Sequence, residues 1–283
     1  MMDYTWIKEK FEKLEVIGRG SFGEVLSGYD KDSHVRFAIK LTETTNKDEF
    51  NVNSKEVMNL SRLKEMENIM TYEDCYFNVM NLPDGRQLFQ IIIIMELAEQ
   101  SLEDKLQITP QGLDRDFIIK TLDQIAIGLD NAHKVKCAHL DLKPENVLFV
   151  NNQCKISDWG GSVILKSEKS SSVKSHVAYT PGYVSPEIMA EDYFERQKIN
   201  YYLSDIYSFG VLGLRLCGIH KKSVHKIPKN DEEGHDDYIA SLIEENHLNG
   251  LELGELLTMM TKFQPLKRVD LEKIKKTLKN LIK

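Results

Sequence analysis

One short polar stretch, residues 139–146, carries three side chains whose types and spacing could do chemistry. It reads His-Leu-Asp-Leu-Lys-Pro-Glu-Asn. Asp141 could accept the proton of an attacking hydroxyl, Lys143 could neutralise charge on a moving phosphoryl group, and Asn146 could ligate a metal ion. The stretch therefore predicts a site for phosphoryl transfer, although a polar turn after a helix would also fit it.

A second candidate is the glycine-rich stretch over residues 18–25, which reads Gly-Arg-Gly-Ser-Phe-Gly-Glu-Val. Its three glycines would let backbone N–H groups approach phosphate oxygens with no Cβ in the way. A plain glycine-rich hairpin would fit the pattern about as well, but a strand that ends in Lys40 follows and could bring an ammonium to the same phosphates. A dinucleotide-binding turn is disfavoured, because it requires a helix directly after the glycines and residues 25–29 have the pattern of a strand.

The elements that must position these residues follow from hydrophobic periodicity. Alternating apolar and polar positions over residues 14–40 predict three strands, and residues 72–77 and 88–95 predict two more that pair across a turn at 81–85. Apolar residues at helical spacing predict helices at 53–66, 114–134 (with Asp114 or Asp116 as the cap), 205–216 and 271–281. Residues 147–150 and 155–157 predict a short hairpin.

Two stretches have the composition of loops. Residues 161–179 are polar, rich in Ser and Lys, and lack periodicity. Residues 220–237 are charged and contain His220, His225 and His235, whose irregular spacing favours a solvated loop over a metal site.

Composition is typical of a globular protein. The 283 residues include 41% hydrophobic and 29% charged residues, and the net charge of −7 disfavours nucleic acid as a partner. The four cysteines have no paired spacing, so we expect reduced thiols. The N-terminus lacks the apolar core of a signal peptide, and the longest apolar run, residues 91–95, is too short for a transmembrane segment. These features predict a cytoplasmic or nuclear location.

Taken together and in order, the stretches between Gly18 and Arg268 resemble seven motifs of eukaryotic protein kinases. The resemblance includes the glycine-rich loop, the strand lysine, the catalytic loop, a metal-binding motif that reads Asp-Trp-Gly at 158–160, and the end of an activation segment at 180–187. The sequence departs from the family pattern at Leu140, where Arg is usual, at Trp159, where Phe is usual, and at Ser185, where Ala is usual.

The resemblance implies an α+β, two-lobed kinase fold in one domain. Residues 1–98 would form an N-lobe with an antiparallel β-sheet plus one helix, and residues 99–283 a mainly helical C-lobe. It also implies that Asp205 anchors the catalytic loop, that Arg268 pairs with Glu187, and that four side chains stack in a regulatory column: Leu60, Tyr72, His139 and Trp159.

The resemblance also implies a site for ATP and Mg²⁺. The catalytic residues would be Asp141, Lys143, Lys40 and Glu56, with Glu56 as the helix partner of Lys40 and Glu49 as a weaker competitor. The metal ligands would be Asn146 and Asp158. The nucleotide would contact Gly18, Arg19, Gly20, Ser21, Phe22, Gly23, Val25, Ala38, Lys40, Met95, Glu96, Leu97, Ala98 and Leu148.

These residues predict a serine/threonine protein kinase. Lys143 and Thr180 favour serine/threonine over tyrosine specificity, and the presence of Lys40, Asp141, Asn146 and Asp158 favours an active enzyme over a catalytically weak or inactive scaffold of the same fold. The segment at 180–187 disfavours a small-molecule kinase. The expected partners are ATP and protein substrates with serine or threonine acceptors.

Leu140 leads to a hypothesis about regulation. The Arg usually found before the catalytic Asp binds a phosphate on the activation loop, and Leu cannot donate a hydrogen bond. We therefore expect catalysis not to require phosphorylation of Ser167, Ser170, Ser171, Ser172 or Ser175. The remaining basic partners for such a phosphate would be Lys166, Lys169, Lys174, Arg196 or other basic groups.

Overall fold

The computed structural model describes residues 4–20, 23–109, 112–165, 179–189 and 199–282. The chain divides into two compact units, one built from Met1–Glu65 and Ile69–Glu99 and the other from Met66–Asn68 and Gln100–Lys283. The first unit is rich in strands and the second in helices, which confirms the predicted α+β kinase fold class. Within the described ranges, no helix is both long enough and apolar enough to cross a membrane.

The first unit contains an antiparallel sheet with the strand order β1-β2-β3-β5-β4. All five predicted strands are present, because their apolar positions alternate at the period of a strand. Their bounds are β1 Phe11–Gly20, β2 Gly23–Asp30, β3 Arg36–Thr44, β4 Tyr72–Asn81 and β5 Gln87–Glu96.

Among the described residues of this unit, two helices accompany the sheet, α1 at Thr5–Lys10 and α2 at Lys47–Leu63. The prediction of one helix was therefore wrong, since α1 is too short to show periodicity. The predicted bounds of α2 were also wrong. It begins earlier than residue 53 because the Asn46 side chain accepts hydrogen bonds from the first backbone N–H groups and caps the helix.

The sheet has a buried apolar face and a second face that carries Lys40. Directly paired residues on neighbouring strands point to the same side, and one side forms a core cluster with α1: Ile7, Phe11, Leu26, Ile39, Leu41, Ile92 and Ile94. Lys40 pairs with Val25 on β2 and Ile93 on β5, so these three residues share the opposite face.

The second unit is mainly helical, and its most deeply buried helix is α6, in which all residues from Ser204 to Leu216 are buried. Of the two candidate caps, Asp114 and Asp116, Asp114 caps α4 by accepting from two backbone N–H groups. The helix predicted from residue 205 begins earlier, where Asn200 caps it. The helices are α3 Leu102–Ile108, α4 Arg115–Lys134, α5 Pro186–Met189, α6 Tyr201–Leu216, α7 Lys221–Val224, α8 Glu232–Glu245, α9 Glu252–Met260 and α10 Leu271–Leu281.

Short strands supply two small sheets in this unit, with the orders β6-β8-β9 and β10-β7. The predicted hairpin around residues 151–152 is confirmed as β8 and β9. The bounds are β6 Gln100–Ser101, β7 Cys137–Ala138, β8 Val147–Val150, β9 Gln153–Ile156 and β10 Val163–Ile164.

The prediction of one solvated loop over residues 220–237 was wrong. The stretch contains α7 and the start of α8, and His235 is fully buried. Its ring nitrogens lie 2.6 Å from the carbonyl oxygen of Pro228 and 2.9 Å from that of Thr261. The buried histidine thus connects the segment before α8 to the end of α9. The charged residues around it in the sequence gave no sign of this burial.

Candidate functional site

A buried carboxylate on α6 holds the catalytic loop in place. Asp205 is fully buried. One of its oxygens accepts the backbone N–H of Leu140 at 2.8 Å, and the other accepts the N–H of His139 at 2.8 Å. The second oxygen also lies 2.8 Å from Nε2 of His133 on α4. A buried charge needs such partners, so the predicted anchoring role of Asp205 is confirmed.

The anchored loop brings two predicted side chains, Lys143 and Asn146, to Asp141. Its Oδ2 accepts from Lys143 Nζ at 2.6 Å and from Asn146 Nδ2 at 3.2 Å. Its Oδ1 accepts from the hydroxyl of Thr180 at 2.7 Å, and Lys143 Nζ also donates to that hydroxyl at 2.7 Å. A carboxylate, an ammonium and a hydroxyl therefore form a closed set of hydrogen bonds.

Thr180 is the member of this set that the sequence did not assign to the site. Its motif suggested only a role in specificity, and it lies 39 residues from Asp141. The turn that carries Thr180 is closed by backbone hydrogen bonds from Tyr183 and Val184 to its carbonyl oxygen. Gly182 adopts φ +98°, and an added Cβ there would meet the His225 ring at 2.9 Å.

The two predicted metal ligands belong to neighbouring segments of the second unit. The side chain of Asn146 donates through Nδ2 to the Asp141 carbonyl at 2.9 Å. The amide nitrogen therefore faces Asp141, and the amide oxygen of Asn146 points away from Asp141. Ser157 donates its N–H at 2.8 Å and its hydroxyl at 3.1 Å to the Asn146 carbonyl, and Asp158 follows it directly. Amide and carboxylate oxygens are the ligands that Mg²⁺ prefers, so the chemistry of the two side chains fits this ion.

Trp159 fills an apolar slot beside the catalytic loop. It is fully buried, its ring centroid lies 4.6 Å from that of His139, and its Nε1 donates to the Ile156 carbonyl at 3.4 Å. The predicted contact between His139 and Trp159 is therefore confirmed. Leu60 and Tyr72 belong to the first unit, so the complete regulatory column stays a prediction.

In the first unit, Lys40 pairs with Glu56. Lys40 Nζ lies 2.6 Å from Glu56 Oε1, and both side chains are largely buried. The competitor Glu49 instead accepts from the hydroxyl of Thr44 at 2.6 Å. The predicted pairing is confirmed, because α2 presents Glu56 to the middle of β3 and Glu49 to its end.

Predicted nucleotide-binding side chains share one face of the sheet. Lys40 pairs with Val25 across β2 and β3, and Ala38 pairs with Met95 across β3 and β5. Because Ala38 and Lys40 are two positions apart on one strand, all four side chains point to the same side. Leu148 lies on β8 in the second unit, so its predicted nucleotide contact stays a prediction.

The predicted adenine-binding segment begins at the end of β5. Glu96 accepts the backbone N–H of Thr71 at 2.6 Å through its side chain, and its own N–H donates to the Thr71 carbonyl at 3.1 Å. The Glu96 side chain thus fixes the start of β4. The backbone of Leu97 and Ala98 follows directly.

The glycine-rich residues form the ends of β1 and β2, which we call the glycine hairpin: Gly18 to Gly20 and Gly23 to Val25. Gly20 pairs with Gly23, and the pair before it is Arg19 with Glu24. A Cβ on Gly23 would lie 1.9 Å from the Leu41 carbonyl oxygen, so close strand packing also requires this glycine. Ser21 and Phe22 lie outside the described residues.

A buried ion pair supports the segment that carries Thr180. Arg268 donates to both carboxylate oxygens of Glu187, at 2.6 and 2.8 Å, and both side chains are almost inaccessible to solvent. Burial alone would raise the pKa of the Glu187 carboxyl. The charge and hydrogen bonds of Arg268, helped by hydrogen bonds from the backbone and the Ser204 hydroxyl, outweigh burial and hold the pKa below its ordinary value. The predicted pair is confirmed.

Leu140, the departure from the usual Arg, lies in an apolar cluster. The residue adopts φ +67° and is 5% exposed. The buried members of this cluster are Ala138, Leu140, Leu165, Val184, Ile188 and Tyr201. The cluster therefore joins the catalytic loop to residues on both sides of the segment 166–178.

Comparison with known proteins gives one family and several relatives. The model of the protein kinase domain matches residues 11–278. The chain is 30% identical over 207 residues to serine/threonine-protein kinase KIC1 of Saccharomyces cerevisiae, an alignment that covers 72% of this chain and 18% of that protein. It is 29% identical over 232 residues to misshapen-like kinase 1 of Rattus norvegicus, with 78% and 17% covered.

A third relative is serine/threonine-protein kinase mig-15 of Caenorhabditis elegans. It is 28% identical over 232 residues, which cover 78% of this chain and 21% of that protein. The matched segment thus spans about a fifth of the length of each relative.

Proposed function

This chain belongs to the protein kinase family, and from that premise we propose that it transfers the γ-phosphoryl group of ATP to serine or threonine hydroxyls of protein substrates. The observation that carries the proposal is the set of hydrogen bonds among Asp141, Lys143 and Thr180. The proposed serine/threonine specificity of the chain is supported by its relatives, two of which are named serine/threonine-protein kinases.

In the proposed mechanism, Asp141 accepts a hydrogen bond from the substrate hydroxyl and orients it toward the γ-phosphorus of ATP. The hydroxyl of Thr180 already donates to one oxygen of this carboxylate, so that oxygen is a competent acceptor. Lys143 lies within 2.6 Å of the same carboxylate and stabilises negative charge on the phosphoryl group during transfer.

The residues proposed to hold ATP come from both units. In the first unit, Lys40 binds the α- and β-phosphates while Glu56 orients its ammonium, and the glycine hairpin covers the phosphates. The adenine lies against Val25, Ala38 and Met95 and bonds to the backbone of residues 96–98. Leu148 contributes from the second unit. We treat residues 1–98 and 99–283 as the two lobes of one kinase domain.

Asn146 and Asp158 would hold Mg²⁺, which supplies positive charge to the phosphates of ATP when bound. The protein's own contribution is to keep the two oxygen ligands in place. It does so through the hydrogen bonds from Asn146 to the Asp141 backbone and from Ser157 to the Asn146 backbone.

The proposal is tested by assaying purified protein with labelled ATP, Mg²⁺ and a panel of generic protein substrates. The Lys40→Met variant, prepared in parallel, is the matched control for contaminating kinases. The proposal expects label on serine or threonine with the wild-type protein and none with the variant. Equal labelling by both proteins, or labelling by neither, would instead support a catalytically inactive scaffold.

Removing the proposed metal ligand Asp158 should change the dependence of activity on Mg²⁺. The Asp158→Asn variant retains the size of the side chain but loses its charge, so we expect the Mg²⁺ concentration for half-maximal rate to rise by about tenfold or more. Asp130→Asn is the control, because it neutralises another carboxylate of the second unit, one that lies on α4 and pairs with Lys134 and Lys275. Titration curves that overlay for wild type and Asp158→Asn would rule out this role.

Activity should not depend on phosphorylation of the activation segment. Leu140 is buried in an apolar cluster with Leu165 and Val184. This packing connects the catalytic loop to the activation segment, so an ionic contact with a phosphate is not needed to connect them. The candidate serines at 167, 170, 171, 172 and 175, and the basic residues Lys166, Lys169, Lys174 and Arg196, lie outside the described residues.

The measurement uses phosphatase-treated protein whose residues 161–180 are shown by mass spectrometry to be unmodified. We expect its initial rate to stay within about tenfold of the untreated rate. A fall of more than about a hundredfold would exceed the coupling typical between two sites and would contradict the hypothesis.

A further inference from the structure

Helix α1 precedes the segment matched by the family model, which starts at residue 11. Ile7 of this helix is fully buried and packs with the core cluster on the face of the sheet opposite Lys40. The helix is therefore held by the core of the first unit, and its position is defined by buried contacts.

The two ends of α1 bind different strands. The hydroxyl of Tyr4, just before the helix, donates to Glu24 Oε2 on β2. At the other end, Lys10 Nζ donates to the hydroxyl of Tyr76 on β4 at 2.8 Å. The glycine hairpin lies on β1 and β2 and not on β4, so within the described residues it is the Tyr4 end of the helix that contacts the hairpin through its side chain.

Glu24 occupies a particular place in the glycine hairpin. It is directly opposite Arg19, and Arg19 Nε lies 2.8 Å from Glu24 Oε1. The next pair toward the turn is Gly20 with Gly23, so Arg19 and Glu24 are the last pair of side chains before those glycines. Arg19 is 73% exposed, and an ion pair with one exposed partner fixes little by itself.

Tyr4 supplies the missing anchor. Its hydroxyl binds the Glu24 oxygen that Arg19 Nε does not, and its ring packs against the core cluster beside Ile7. Glycines lose much conformational freedom when they become ordered, and an arrangement that is ordered before binding lowers the cost of binding. Anchoring the hairpin before the nucleotide arrives would therefore favour its binding.

We propose that Tyr4 is a positioning residue for the nucleotide, and that its hydroxyl holds the glycine hairpin through Glu24 and Arg19 in the orientation that covers the phosphates. The inference rests on the ATP-binding part of the proposed function. It adds to that function a residue from outside the family-matched segment.

The test compares Tyr4→Phe with Tyr76→Phe. Each variant removes one hydroxyl on the same side of the sheet, but the Tyr76 hydroxyl binds Lys10 and Asp74 away from the hairpin. Calorimetric titration should show a Kd for ATP that is about three- to tenfold higher for Tyr4→Phe and within about twofold of wild type for Tyr76→Phe. Equal weakening by both variants would overturn the inference, because it would indicate a general loss of packing.

Hydrogen exchange without nucleotide separates this inference from the proposed function. We expect the backbone amides of β1 and β2 to exchange faster in Tyr4→Phe than in wild type and Tyr76→Phe. In a Glu24→Ala background, Tyr4→Phe should have no further effect, because the hydroxyl would have lost its partner. Unchanged exchange in Tyr4→Phe would overturn the anchoring role whether or not ATP binds, whereas failure of the wild type to bind ATP would overturn the proposed function.

Discussion

The Asp141→Asn variant is expected to lose about 10²–10⁴-fold in turnover, the usual contribution of a general base, while its melting temperature and its affinity for ATP stay close to wild type. The amide oxygen can still accept from Lys143, and the amide NH₂ can donate to the Thr180 hydroxyl, so the hydrogen-bonded set survives. What disappears is the carboxylate that accepts the proton of the substrate hydroxyl. Single-turnover rates with saturating ATP provide the measurement.

Asp130→Asn is a suitable control for this loss, because it also neutralises a lysine-paired carboxylate in the same unit. We expect it to retain activity within about twofold, as is usual for substitutions away from a site. A fall of less than tenfold for Asp141→Asn would show that Asp141 does not act as the base.

The second large effect is expected on stability. Arg268→Met removes the cation that compensates the buried carboxylate of Glu187, and breaking a buried pair on one side typically costs about 3–5 kcal/mol. Urea unfolding at about pH 7 should therefore show a much lower midpoint. Lys267→Met is the matched control, since its neighbouring ion pair with Glu232 is open to solvent and such pairs contribute little to stability.

The cost of Arg268→Met should shrink as the pH falls. In the wild type, the folded pKa of Glu187 is below its unfolded value, so the pair's stabilisation is fully present above the unfolded pKa and is lost as the pH falls through the folded pKa. In the variant, burial still raises the pKa of the Glu187 carboxyl, and only hydrogen bonds from the Ser204 hydroxyl and the backbone oppose it. The folded pKa should therefore rise above the wild-type value, and protonation should relieve the penalty. A difference in unfolding midpoint that stays constant from about pH 7 to about pH 4.5 would contradict this account.

Much of the site was predictable because its chemistry is concentrated in short stretches. The offsets among Asp141, Lys143 and Asn146 are local, so the residue types alone predict that these side chains lie close together, although Asp205 holds the loop that carries them. The strands and long helices were predictable for a similar reason, since alternation and helical spacing report which face of an element is buried. Their starts were less certain, because caps such as Asn46 and Asn200 lie outside the periodic residues.

The tertiary structure decided which partners meet across long sequence separations. Both Glu49 and Glu56 lie on α2, and only the packing of that helix against β3 selects Glu56 for Lys40. Thr180 joins Asp141 because the chain returns to the catalytic loop after 39 residues. Neither choice follows from periodicity, which carries no information about where a distant segment packs.

The sequence by itself determined the fold class, the family resemblance and the chemistry of the catalytic loop, because each depends on residue types at fixed local offsets. Only the tertiary structure revealed that α1 packs on the apolar face of the sheet and that Tyr4 reaches Glu24. A six-residue helix has too few turns to show an apolar stripe, and its stability comes from burying Ile7 in a core formed by strands far along the chain. The same holds for Leu140, whose apolar surroundings exist only once segments on both sides of residues 166–178 pack against it.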